Sequence, residues 1–181
     1  MRRSLLLAVM LAGCAGVAPL GIHDTRLSRD ARGLIADAED ALVVTRARRA
    51  DALERLAEAQ RQATRGSDLG GEAAAARSAM DMHRVALGRA EVGLADAELA
   101  LARARLTQTY AEAAMRHDLA VYELAPLEAE TEQRRKLAQV ARARHHELRL
   151  QLEEATTRWW TAYRAFVQGG GDASKPWDAT Q

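Results

Sequence analysis

The chain has 181 residues, nearly balanced charge (26 Lys and Arg against 25 Asp and Glu), and 103 positions filled by Ala, Leu, Arg, Glu or Lys. That composition belongs to long helices. Three prolines and no alternating β-branched run argue against strands, and 4% aromatics leave little wide interior for a substrate pocket. With no clustered basic excess, the surface argues against a nucleic-acid partner.

Residues 1–13 read as a signal peptide. Met1-Arg2-Arg3 gives a positive start, and Leu5 to Leu11 is an apolar run too short to span a bilayer as a resident helix. Leu11-Ala12-Gly13-Cys14 follows, and this tetrapeptide resembles the bacterial lipobox. The resemblance implies that Cys14 is diacylated on sulfur, becomes the new N-terminus and is then acylated on its amine. The chemistry needs a thiolate nucleophile, and two or more acyl chains give the stable anchoring that one chain does not. Cys14 is the only cysteine, so once lipidated it leaves no thiol for a disulfide or a metal. Loss of Arg2 and Arg3 with the signal leaves 24 basic and 25 acidic residues, a net charge of −1. Ala15, in place of aspartate after the cysteine, implies by the same resemblance the periplasmic face of a Gram-negative outer membrane.

Residues 14–26, with Gly16, Pro19 and Gly21, read as a flexible tether. A helix is predicted over 27–65, with Leu34, Ala38, Ala41 or Leu42, Thr45, Ala52, Leu56, Ala59 and Ala63 on its apolar side, interrupted by Arg48 and Arg49. The glycine-rich run from Gly66 to Gly71 reads as a turn, with Ser67 or Asp68 available to cap the next helix. No lysine or preceding strand supports a phosphate loop there.

The central helix is predicted from Glu72 to at least His117. Met80, Leu87, Leu94, Leu101, Gln108, Met115 and Tyr122 recur every seventh residue, with Ala90, Ala97, Ala104 and Ala111 three residues after most of them. This is a coiled-coil seam, and alanine permits close backbone approach. A second row, Val85, Val92, Leu99 and Leu106, lies about 140° around the helix at roughly 100° per residue. A charged strip of Arg84, Glu91, Glu98, Arg105 and Glu112 separates the rows. Two apolar rows call for two partners.

Pro126 must break or kink the chain. If the chain reverses between His117 and Pro126, the fold is an all-α, up-down-up bundle of three antiparallel coiled-coil helices, about 60 to 70 Å long at 1.5 Å per residue. If it only kinks, one helix from Glu72 to Gln168 forms a hairpin with the first. The double seam favours the bundle, because the hairpin would expose much leucine.

The last helix, predicted over 126–168, continues the seam through Ala138, Ala141, His145, Leu148, Leu152, Ala155, Trp159, Ala162 and Phe166. Trp159 and Phe166 read as a plug at the bundle end. Trp160 and Tyr163 read either as rim packing or as an interaction surface, since amphipathic aromatics are enriched at interfaces. Residues 169–181 read as a disordered tail.

No catalytic or cofactor-binding grouping stands out. His23, His83, His117, His145 and His146 form no i, i+4 pair and neighbour no cysteine, so no metal is expected. The Glu–Arg neighbours, such as Glu98 with Arg105 or Asp81 with Arg84, read as a solvated face. The Tyr122-Glu123-Leu124-Ala125-Pro126 run before a charged helix resembles alanine-rich helical lipoprotein domains of unknown function, where a Tyr-Ala-Pro-like segment precedes a helix; the likeness covers about 40 residues and carries no functional residue. The Ala–Leu alternation is similar to the periplasmic helices of outer-membrane efflux channels, which also need membrane strands that this chain lacks. The expectation is a lipid-anchored spacer, scaffold or adaptor, partnered by another envelope protein or by its own copies. The alternative is a binding or sensory module for a hydrophobic ligand or peptidoglycan.

Overall fold

The computed structural model describes residues 23–65 and 69–171, and within them the chain forms helices and no strand. The helices are α1 (Arg29–Thr64), α2 (Gly71–Arg116) and α3 (Leu124–Gln168). At 1.5 Å per residue they run about 54, 69 and 68 Å, so the chain reverses twice and the single kinked helix is ruled out.

Local chemistry explains each boundary. Ser28 caps α1 by accepting the Ala31 N–H at 3.2 Å, which starts the helix two residues later than its apolar pattern suggested. α2 is capped by Gly70 without any side-chain hydrogen bond, in place of the expected Ser67 or Asp68, which lie outside the described residues. α2 ends where Asp118 takes a left-handed backbone, φ 53°. Around it the Leu119 N–H donates to the Ala114 carbonyl at 2.9 Å and the Asp118 N–H to that of Met115 at 3.2 Å. This is the Schellman arrangement, with aspartate where glycine is usual. α3 ends the same way, with Gly170 at φ 90° and the Gly171 N–H donating to Phe166.

Pro126 does not break a helix. α3 begins two residues before it, at Leu124, and a proline in the first turn removes only an N–H that would lack an intrahelical partner anyway.

The packing is that of a three-helix bundle with α2 in the middle: α2 packs along both α1 and α3, and no backbone contact joins α1 to α3. The two rows on α2 serve these two neighbours. Leu99, Ala102 and Leu106 pack on Leu42 of α1, and Gly88 lies against Leu56. Met80 and Ala73 pack on Ala155, Trp159 and Tyr163 of α3. The first row is shallower than its regularity suggested. Met80 is fully buried, but Leu87, Leu94 and Leu101 are half-buried and Met115 is exposed.

On α1 Leu42 and Ala52 are buried as expected, but the start of the seam is one residue out of phase. Ile35 is fully buried and Leu34 is 53% exposed, because the line through Ala31, Ile35, Leu42 and Ala52 is the one that meets α2.

The bundle has two different ends. At one, Leu27 and Ile35 bury with Ala113 and Ala114, covered by Tyr110, Leu119 and Ala120. The start of the described chain and the α2–α3 turn therefore meet here, joined also by the Ser28 N–H donating to His117 Nε2 at 3.3 Å. The aromatic residues of α3 lie at the far end, against the start of α2.

Candidate interaction surfaces

The far end is built on a buried charge. Arg77 and Asp81 stand one turn apart on α2, each less than a tenth exposed, and Arg77 Nε donates to Asp81 Oδ2 at 2.9 Å. Arg84 reaches the other Asp81 oxygen at 3.4 Å, and Gln62 of α1 at the same distance. Burial lowers the pKa of Arg84, against the attraction of Asp81. The expectation of a solvated face fails for Asp81, because its position between the two apolar rows is covered from both sides.

The Arg77 guanidinium lies 5.6 Å from the ring centroid of Trp159, within cation–π range. Trp159 is 1% exposed and is the plug that its spacing predicted. Its indole N–H finds no acceptor, a cost of about 1–3 kcal/mol for a buried donor.

Trp160 and Tyr163 part company. Tyr163 is 7% exposed, with its ring 5.2 Å from that of Trp159, so it belongs to the core and presents no face to a partner. It is the helical position that turns inward, whereas Ala162, assigned to the seam, is half-buried. Trp160 stands edge-on to Tyr163 at 6.0 Å and stays half-buried beside Phe166 and Val167. Of the two candidate surface aromatics, Trp160 alone keeps an accessible face. Cys14 lies outside the described residues.

Along the bundle, the charged strip of α2 fills the gap between α1 and α3. Glu98 accepts from Arg142 of α3 at 2.7 Å and lies 3.8 Å from Arg48 of α1. One heptad earlier, Glu91 pairs with Arg55 of α1 at 3.1 Å and lies 3.6 Å from His145 of α3. Glu98 was expected to neighbour Arg105 on its own helix. It instead ties together two helices whose backbones do not approach each other. Toward the Leu27 end the gap opens into a groove of about 550 Å³, lined by Leu34, Leu101, Arg105 and Thr131 among others.

At that end the Tyr110 hydroxyl donates to Glu39. Burial, then this hydrogen bond, push the phenol up to about 12. Asp24 is held down at about 2, chiefly by its hydrogen bonds from Arg26. The first links α1 to α2, and the second is a local contact in the segment before α1. Among the described residues no group of three His, Cys, Asp or Glu side chains is placed to hold a metal ion, and no helix is long and apolar enough to cross a membrane. Compared with known proteins, the chain matches no protein-family model, no curated protein and no solved structure.

Proposed function

We propose that this chain is a lipid-anchored envelope protein on the periplasmic face of an outer membrane, serving as a non-enzymatic spacer or adaptor. The observation that carries the reading is Leu11-Ala12-Gly13-Cys14, with the chain's only cysteine at the end of a short apolar run behind Arg2-Arg3. A bundle about 69 Å long, anchored from the end where Leu27 packs, supports the spacer role. Replacing Cys14→Ser tests the anchor: palmitate labelling is lost and an uncleaved precursor accumulates. Labelling that persists overturns it. A hydrolytic or transferase activity abolished by one polar substitution would overturn the non-enzymatic part.

The partly open face of Trp160 favours a specific form of the adaptor, in which the far end of the rod meets another envelope protein. Photo-crosslinking from a reactive analogue at Trp160 in cells tests it. A discrete adduct to a second envelope protein supports the adaptor, and adducts to the chain itself indicate a homo-oligomeric structural element. The reading as a sensory module predicts instead a change in tryptophan fluorescence on titration with peptidoglycan.

A further inference from the structure

We propose that the α2–α3 turn is a membrane-contacting tip: Val121 and Tyr122 enter the headgroup layer of the bilayer that holds the acyl chains, and the rod stands on this end. The inference rests on the lipid-anchor reading above and adds an orientation and a second, protein-borne contact.

Three observations converge on this end. Leu27 is 3% exposed and packs in one cluster with Ala113 and Ala114, with Leu119 and Ala120 laid over it. The chain running back to Cys14 therefore departs beside the turn. From Cys14 to Leu27 there are thirteen residue steps, a reach of at most about 47 Å however the segment is arranged. Trp159 lies about 53 Å along α3 from the residue that starts it, so even a fully extended tether leaves Cys14 short of the aromatic end, while it reaches the turn freely.

The turn also displays what a bilayer surface takes. Val121 is 96% exposed, the most exposed large apolar side chain among the described residues. Tyr122, next in the chain, and Met115, in the last turn of α2, are each 36% exposed. Leu119 and Ala120, just before, point the other way and cover the core cluster. The loop thus divides its apolar residues: two fasten it to the bundle and the next two face out. Its first half is fixed by the backbone bonds around Asp118, so Val121 is presented on an ordered scaffold and little conformational freedom is lost on insertion. A tyrosine beside it suits the interface, where the ring can be buried while the hydroxyl stays wet. No described helix can span a bilayer, so the contact is peripheral.

The test uses the mature, lipidated protein in vesicles of phosphatidylethanolamine and phosphatidylglycerol. Acylation consumes the Cys14 thiol, so Val121→Cys gives one reactive site for an environment-sensitive fluorophore, on a fully exposed position that does not bear on folding. Gln168→Cys, exposed at the far end, is the comparison. The expected result is a blue shift at position 121, with loss of emission when brominated lipids replace the ordinary ones, and neither change at position 168. Aqueous emission at 121 while the protein floats with the vesicles overturns the tip and leaves the anchor standing. Equal shifts at both positions mean that the rod lies flat, which also overturns it. Failure to float overturns the anchor and the tip together.

Discussion

Gly88 and Gly93 stand five residues apart on α2 and predict opposite responses to the same added methyl. At Gly93, an exposed position, a Cβ meets nothing within 4 Å. Gly93→Ala should therefore gain about 1 kcal/mol, the helix-propensity difference in an interior position. At Gly88 the methyl would lie 3.2 Å from both Cα and Cδ1 of Leu56. The Cδ1 atom can rotate away, but the Cα belongs to the backbone of α1, so the two helices must move apart. Overpacking of this kind costs about 1–3 kcal/mol, and the propensity gain offsets about 1 of it. Gly88→Ala is expected to lose about 1 kcal/mol net, which separates the two variants by about 2 kcal/mol. Thermal unfolding followed by circular dichroism reads this as midpoints about 4–8 °C apart for a chain of this size. A Gly88→Ala protein stabilised as much as Gly93→Ala would show that α1 does not approach α2 as closely as described.

Other perturbations test the remaining contacts. Leu99, 7% exposed on the α1 side, should cost about 2–4 kcal/mol when cut to alanine, and half-buried Leu94 clearly less; equal losses in urea unfolding would contradict the depth of the two rows. Asp81→Ala removes the buried carboxylate held by both Arg77 and Arg84 and should destabilise the protein by about 3 kcal/mol or more, so an unchanged urea midpoint would place this pair in solvent. Asp118→Gly relieves a left-handed aspartate and should stabilise by about 0.5–1 kcal/mol, whereas a loss would mean that the aspartate side chain contributes to the turn. Tyr110 has a folded pKa raised to about 12 from the ordinary 10, so its contribution to stability is complete below pH 10 and lost as pH rises toward 12. Tyr110→Phe should flatten the pH dependence of stability in that window, and an identical alkaline profile in the variant would exclude this residue as its source.

The heptad pattern of α2 made the architecture legible. Two rows separated by charge require two neighbours, and two neighbours are what α2 has. Periodicity was a weaker guide to depth, because a row's spacing says that it faces a partner and not how near that partner comes. Leu87, Leu94 and Leu101 are spaced as well as Met80 and are less buried. The phase of α1 was ambiguous because Leu34 and Ile35 are adjacent and similarly apolar; their burial differs only through the line that α2 covers. The reversal falls between His117 and Pro126 as expected, but the absence of glycine hid its position at Asp118, although aspartate also tolerates the left-handed region and was the available signal. Proline misled in the opposite sense, since its effect depends on whether it falls in the first turn or the interior of a helix. Asp81 and Glu98 carried no mark of their partners, which come from other helices or from burial between two seams.

The missing contact between α1 and α3 divides the molecule's cooperativity. α1 packs on α2 and on the turn after it, with no backbone approach to α3, so it can detach without breaking any packing between α2 and α3. Glu91 and Glu98 would lose Arg55 and Arg48 in that event, but each retains a neighbour on α3, in His145 and Arg142. Neither carboxylate is then left without a basic neighbour, which removes one large penalty from the opened form. Opening of this kind is a sub-global unfolding step, placing α1 in a separate exchange unit whose amides lose protection before those of the α2–α3 hairpin. Gly88, Leu99, Ala102 and Leu106 would then stand bare, a ready-made seam on which another helix, from a second copy or a different protein, could take the place of α1.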